Sequence, residues 1–421
     1  MSNYNDLLKK FLQQKNAIIS KGGIVNVANV NPSPNELLAG INSIVVNRPQ
    51  VTASNGYAII VAERPNKTIK LYNSSGSLLS TKTTNSSTGG YVTFTVSSIG
   101  EYIAKVYDAD GTEIWTNSIN INEPGVFNIK SGLALNEYTW DEISIAGLNG
   151  YAKYMFRLWD FKKLSSFMGS TSDTYTKAYI IGFEHDNKVS GGKAGITFMI
   201  ERTSSSYKHW STSQTNDNGI SWVGSLIRAN CLKNGEIQYV FDKTVSETTE
   251  GTYYIFDNTT NQFVAQTLPE NFVATQKYYN KVTISADGAF IAGLPQEIIN
   301  YIVQVKKKTW GGYGGSVLNS TNANADDTII ETEDWMFIPS DGEVFGNTNR
   351  YSKYSKFTEE GETYEAFKEY NENHFWCGGN RWLRSPCLSS SSSFCCWNSY
   401  GCVSNYSASY ASYCPLCFCI G

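Results

Sequence analysis

The sequence predicts a multidomain α+β chain: short N-terminal helices, then an all-β sandwich, then a large mixed α/β region running to the C-terminus. Three observations predict it. Apolar spacing switches from a helical period to a two-residue alternation near residue 50. The 421 residues suit two or three domains better than one. The residues after Arg384 have a composition unlike the rest of the chain. The expected divisions are 1–48, 49–126 and 127–421, with an unusual region at about 387–419.

Residues 1–48 are expected to form a helical anchoring or oligomerisation module. Tyr4, Leu7, Leu8, Phe11, Leu12, Ile18 and Ile19 fall largely on one helical face, and Gly22-Gly23 ends it. A second helix starts at Ser33, with Pro34 in the first turn and Glu36 at the third helical position, ahead of Leu37, Leu38, Ile41 and Ile44. Neither helix buries its apolar stripe alone, so each needs a partner: a sister subunit, a larger assembly or the next domain.

From about 50 to 125 the chain alternates with period two. Tyr57–Ala62, Thr68–Tyr72, Tyr91–Val96 and Tyr102–Tyr107 read as strands, broken by turn signals at Asn73–Gly76, Gly89-Gly90 and Asp108–Gly111. Val92, Phe94 and Val96 are expected inside, with Tyr91, Thr93 and Thr95 outside. About seven strands at this density resemble an immunoglobulin-like sandwich without its cysteine pair, which implies a spacer.

The region after 126 opens with Thr139-Trp-Asp-Glu-Ile-Ser as a helix start and passes through strand-like Ala178–Phe183 and Gly195–Ile200. A helix is expected over Leu294–Val305, with Pro295 in its first turn. The C-terminus then departs from ordinary composition. Between Cys387 and Cys419, 23 of 33 residues are Ser, Cys, Tyr or Phe, and no charged residue follows Arg384. A serine linker would not carry Tyr400, Tyr406, Tyr410 and Tyr413. Phe, Ser, Tyr and Cys are the amino acids reached when only the middle base of one codon class varies. Randomised adenines in such codons would give this mixture, with Asn398, Asn405, Ala408 and Ala411 also reachable and Trp397 fixed.

Thr139–Ile143 and Trp382-Leu-Arg-Ser-Pro386, with Ile181–Asp186, Gly219–Arg228 and Trp335–Gly346, resemble a phage- and bacteria-borne domain similar to the C-type-lectin-fold variable proteins of diversity-generating retroelements. In those proteins a reverse transcriptase with adenine-directed errors rewrites the 3′ end of the gene. The resemblance covers about two-thirds of the chain and implies a C-type-lectin-like α/β domain that displays hypervariable side chains and binds without catalysis. It assigns ligand binding to Ser389, Ser390, Ser391, Ser392, Ser393, Phe394, Ser399, Tyr400, Cys402, Ser404, Tyr406, Ser407, Ser409, Tyr410, Ser412 and Tyr413, and scaffold roles to Trp382, Leu383, Arg384, Trp397 and Pro415. Tyr and Ser are suited to such binding, because Tyr offers large contact area at low rotamer cost and Ser offers adaptable hydrogen bonding. The closing Tyr413–Ile420 departs from the Gly-Val-Arg-Pro that often precedes the last strand in that family.

The implied protein is a receptor-binding adhesin of a phage tail, in the virion, whose partners are a host cell-surface receptor (protein or glycan) and tail structural proteins, in a homo-oligomer such as a trimer. Met1–Lys10 lacks a cationic-then-apolar leader, and release by lysis of a phage-infected cell fits that. No membrane insertion is expected, since no window reaches the ~18–20 apolar residues of a span. Net charge of −4 and the absence of basic runs beyond Lys306–Lys308 exclude a nucleic-acid partner. A diversified bacterial adhesin is the alternative. A zinc-stabilised structural domain is another, built on Cys414, Cys417 and Cys419 with Cys395, Cys396 and His374, but paired knuckle spacings are missing, so neither metal nor cofactor is expected. Buried free thiols and one or two disulfides are both open. His185, His209 and His374 are isolated, and Glu142, Asp186, Glu343 and Glu359-Glu360 sit in framework motifs or on expected surfaces, so no catalytic group is assigned. A sugar-binding calcium motif is absent, and Asp217 and Asp326-Asp327 lack loop spacing for calcium.

Overall fold

A computed structural model describes residues 56–421 except 86–89, 166–175, 202–221, 223–224, 233–238, 245–249, 258–261, 274–277, 284–289, 311–328, 347–358, 370–379, 387–392, 398–402 and 408–411. The two expected N-terminal helices therefore lie outside the described residues. Strands dominate, and the described helices are few and short, the longest being nine residues. Two compact units emerge from the contacts: residues 1–132 with 148–155 and 187–193, and residues 133–147 with 156–186 and 194–421.

The described residues of the first unit hold seven strands: β1 (Tyr57–Ala62), β2 (Thr68–Asn73), β3 (Leu78–Thr83), β4 (Tyr91–Val96), β5 (Gly100–Tyr107), β6 (Glu113–Ile121) and β7 (Gly125–Ile129). They form two sheets, ordered β4-β1-β7 and β3-β2-β5-β6. The first and last strands are parallel, with Tyr57 opposite Gly125, so the end of the domain closes beside its start. Val92, Phe94 and Val96 are buried while Thr95 is exposed, as period-two alternation requires. Ile69, Leu71, Ala104 and Val106 supply the buried side of the other sheet. Polar contacts link the two sheets: the Trp115 indole N–H of β6 donates to the buried Glu63 carboxylate, 2.6 Å away, just past β1, and the Lys82 ammonium of β3 donates to the Thr93 carbonyl of β4.

Two helices follow, α1 (Trp140–Leu148) and α2 (Ala152–Met155), of which α2 belongs to the first unit. Thr139 caps α1: its hydroxyl accepts from the Glu142 N–H, and the Glu142 carboxylate accepts from the Thr139 N–H at 2.8 Å. Trp140 then packs edge-on against Phe198 and tilted against Phe418.

The second unit is built around one sheet. Its strands are β8 (Phe161–Leu164), β9 (Thr176–Phe183) and β10 (Ile196–Ile200) and, from the chain's end, the strand Cys417–Ile420, which lies beside β10 with Ile196 opposite Ile420. α1 comes so close to this sheet that a Cβ on Gly195 would stand 2.3 Å from the Gly147 Cα, so both positions need glycine. After the short helix α3 (Leu226–Ala229), β11 (Tyr239–Thr244), β12 (Gly251–Asp257), β13 (Gln262–Leu268) and β14 (Tyr279–Thr283) form a separate four-stranded sheet in the order β11-β14-β12-β13. Tyr253, Leu268 and Tyr278 are its small core.

The helix expected over Leu294–Val305 is corrected by the structure. Only α4 (Gln296–Ile299) is helical, and the chain then extends into β15 (Ile302–Val303) and β16 (Val305–Trp310). The β-branched Ile302 and Val303 pair with Ile420 and Cys419, so burial at a sheet edge overrides a local pattern that suits either conformation. β16 pairs with β17 (Ile329–Asp334); β18 (Met336–Phe337) pairs with the C-terminal strand; α5 (Asp341–Phe345) and α6 (Glu365–Glu369) follow. β19 (Arg381–Pro386), β20 (Ser393–Trp397) and β21 (Val403–Ser407) make a three-stranded antiparallel sheet before the final strand, β22 (Cys417–Ile420).

Candidate ligand-binding face and its framework

Several of the sequence motifs converge on two buried polar centres in the second unit. In the first, Arg384 of β19 is fully buried, and its guanidinium lies 2.6 Å from the Glu343 carboxylate while donating to the Ile338, Glu360 and Lys308 carbonyls at 2.9, 3.1 and 3.1 Å. Glu343 also closes a capping box on α5 with Ser340, whose N–H donates to it at 3.0 Å. Its other oxygen is 2.6 Å from the Lys307 ammonium, which is equally close to Asp186. Asp186 further accepts from the Thr197 hydroxyl at 2.6 Å and the Tyr364 hydroxyl at 3.1 Å. The neighbouring Ser385 hydroxyl donates to Glu360 and accepts from the Asp341 N–H at 2.8 Å.

Two carboxylates thus face two cations in a buried interior. Burial works against the charge on every one of them, and pairing outweighs it. Lys307 and His185 hold Asp186 below the carboxylate range, Arg384 and Lys307 hold Glu343 below it, and the two carboxylates hold Lys307 above its ordinary value. Glu343 likewise holds Arg384 above its own. Lys307 reaches this centre because β16 alternates: Lys306 and Lys308 are exposed, and the residue between them points inward. The basic run of the sequence is therefore two surface lysines flanking a core one.

The second centre is built on Asp334, 1% exposed, at the end of β17. It accepts from the Trp222 indole at 3.0 Å, the Arg228 guanidinium at 2.6 Å and the Thr332 hydroxyl at 2.6 Å. Trp222 and Arg228 belong to the Gly219–Arg228 stretch, and Ser225 between them caps α3 by accepting from the Arg228 N–H. Framework carboxylates are thus committed to cations, caps and hydroxyls; among the described residues Asp186, Glu343 and Glu360 are buried, and Glu142 serves the α1 cap. His185 stacks on Tyr364 with centroids 4.0 Å apart and approaches Glu365 at 3.5 Å, while His209 and His374 lie outside the described residues.

The β19-β20-β21 sheet carries Ser393, Phe394, Ser404, Tyr406 and Ser407 of the assigned binding residues, and Ser412 and Tyr413 follow it in the chain. Phe394 stands opposite Tyr406, Cys396 opposite Ser404, and Ser393 opposite Ser407. On its other edge β19 meets the chain again, where the Trp382 N–H donates to the Tyr413 carbonyl at 2.9 Å. Ser404, Tyr406 and Tyr413 are half-buried, with part of each open to solvent. Two of the assigned residues are buried. Phe394 is fully buried edge-on to Trp382, and Ser412 is 2% exposed, so both are interior positions. Phe394 lies on the face of β20 that Trp382 occupies, and its neighbours Cys395, Cys396 and Trp397 are buried as well. Ser389, Ser390, Ser391, Ser392, Ser399, Tyr400, Cys402, Ser409 and Tyr410 lie outside the described residues. Trp382, Leu383, Arg384, Trp397 and Pro415 are all buried. Trp397 packs edge-on against Phe345 and Phe367 under the Arg381 guanidinium.

Cys231, Cys395, Cys396, Cys414, Cys417 and Cys419 are buried free thiols. Burial pushes the Cys231, Cys417 and Cys419 thiols well above their ordinary value, so they stay protonated and behave as small apolar groups. Cys417 and Cys419 belong to β22, the buried strand in the middle of the main sheet. Among the described residues no group of three or more His, Cys, Asp or Glu side chains is arranged to hold a metal ion.

Residues 275–420 match one family, a domain of unknown function (DUF6273). The match takes in both β16 and the Trp382–Pro386 strand, and stops short of the Thr139, Ile181 and Gly219 motifs. No curated protein and no solved structure matches the chain.

Proposed function

We propose that this chain is a non-catalytic receptor-binding protein whose β19-β20-β21 sheet and adjoining loops present a sequence-variable, uncharged face to a host cell-surface ligand. The observation that carries the reading is the contrast along one short segment. Arg384 is locked by four bonds into a buried ionic centre, and no charged residue follows it; half-open Ser404, Tyr406 and Tyr413 stand on strands braced by Trp382 and Trp397. A rigid frame bearing Tyr- and Ser-rich positions is the arrangement of a paratope. The single-base kinship of Phe, Ser, Tyr and Cys supports diversification by a retroelement, on a domain of C-type-lectin type. The seven-stranded first unit serves as an immunoglobulin-like spacer, and the N-terminal segment anchors the protein to a phage tail.

The test is deep sequencing of the gene's 3′ end across a population of its source. Substitutions confined to codons 387–419, tracing to template adenines and sparing Trp382–Pro386, are expected. An invariant segment would overturn the reading.

A further inference from the structure

Among the described residues, Lys307 is the lysine that stands apart. Its ammonium is 2.6 Å from Asp186 Oδ1 and 2.6 Å from Glu343 Oε1, and all three side chains are 2–3% exposed. The face of Phe337 lies 4.1 Å from the nitrogen and Tyr364 closes another side, so water is kept from it. The surface pairs differ on both counts. Lys67 with Asp108 and Lys306 with Glu331 are open to solvent and each involves a single carboxylate. Passing one proton from the ammonium to a carboxylate neutralises both partners in this buried interior, and the free amine and the acid then stand as nucleophile and electrophile at contact distance with a proton carrier beside them. Proximity of this kind replaces an entropically costly encounter.

We propose that Lys307 and Asp186 condense after folding into an intramolecular isopeptide bond, with Glu343 relaying the protons. The Nζ–Cγ bond forms and the Cγ–Oδ1 bond breaks. Two protons leave the ammonium, pass by way of Glu343, and depart with Oδ1 as water; no oxidant or reductant takes part. Asp186 Oδ2 remains as the amide carbonyl. The Thr197 and Tyr364 hydroxyls that already donate to it stabilise the negative charge that builds there during attack.

Charge balance favours the product. Before condensation the centre holds Asp186 and Glu343 against Lys307 and Arg384. Afterwards the Glu343–Arg384 pair, 2.6 Å apart, is still neutral as a unit, and two charges have left an interior that penalises each. Arg384 thus keeps Glu343 satisfied once the lysine is consumed. The bond ties together residues 121 positions apart, linking the loop after β9 to β16.

Intact-protein mass spectrometry of the purified full chain, followed by peptide mapping, tests this. The expected mass lies below the sequence value by one water molecule, with a branched peptide joining Asp186 to Lys307 that survives denaturation. Asp186→Asn is expected to close the same bond with loss of ammonia in place of water. An unshifted mass with Asp186 and Lys307 recovered in separate linear peptides overturns the proposal. So does a loss of water that persists in Asp186→Asn, or one without the branched peptide.

Discussion

Replacing Arg384 by Met removes the guanidinium while keeping most of the side-chain volume. Glu343 then retains Lys307 or, once the amide has formed, no cation at all, and the Ile338, Glu360 and Lys308 carbonyls lose their donor. Breaking a buried ion pair from one side costs ~3–5 kcal/mol. For a unit of this size each kcal/mol moves the melting midpoint by ~2–4 °C, so a fall of ~6–20 °C is expected. Two units melt in one chain, so calorimetry needs a second readout. Peptide-resolved hydrogen exchange assigns the loss: β16, α5 and β19 should lose protection while β1–β7 keep theirs. Arg384→Lys should fall between, since an ammonium can meet Glu343 but has no planar fork for three carbonyls. A midpoint within ~2 °C of the unaltered chain, under ~1 kcal/mol by the same scaling, would refute the claim that this centre holds the second unit together.

Four further outcomes follow from the same geometry. Trp222→Phe strips one donor from the buried Asp334 and should cost ~1–3 kcal/mol in urea unfolding of the second unit. Phe394→Ala opens a cavity beside Trp382 and should cost ~3–5 kcal/mol, whereas a contact residue on an exposed surface would cost far less. Cys231, Cys395, Cys396, Cys414, Cys417 and Cys419 should resist a thiol reagent in the native chain and label fully in denaturant, as read by peptide mapping; labelling of Cys417 or Cys419 in the native state would contradict their burial. Stability should be flat between pH ~4.3 and ~8.5, the ordinary Glu and Cys values. Glu343 is held below its ordinary value by Arg384, so its contribution is complete above ~4.3 and is lost as pH falls through the lowered folded value. The buried thiols are raised, so theirs is complete below ~8.5 and is lost as pH rises through the folded values. Melting at graded pH checks both limbs.

What the sequence made legible follows the range of the forces involved. β1, β2, β4 and β5 were readable nearly to the residue, because period-two alternation between turn signals is a local property. The Thr139 helix start was readable for the same reason: its cap lies three residues away. The segment from Leu294 was misread because its apolar run fits a helix or a strand, and the choice is made by Ile420 and Cys419, more than a hundred positions downstream. Lys307 was hidden inside a basic triplet. Its alternation on β16 is a local signal, but the carboxylates that justify burying it, at 186 and 343, come from distant segments. The burial of Phe394 was not legible locally, because it depends on Trp382 and on pairing opposite Tyr406 across two other strands.

The two halves of the C-terminal region obey different rules. The partners of Asp186, Lys307, Glu343 and Arg384 are one another, Thr197, Tyr364, Cys419, the Ser340 cap, the Phe337 ring and backbone carbonyls. A buried ionic centre tolerates little change, because each member leaves an uncompensated partner when removed. Ser404, half-exposed on a strand, is not one of its members, and substitutions there are felt mainly through local packing. No charged residue follows Arg384, so every charge of the buried centre is supplied before the segment that the proposed function takes as variable.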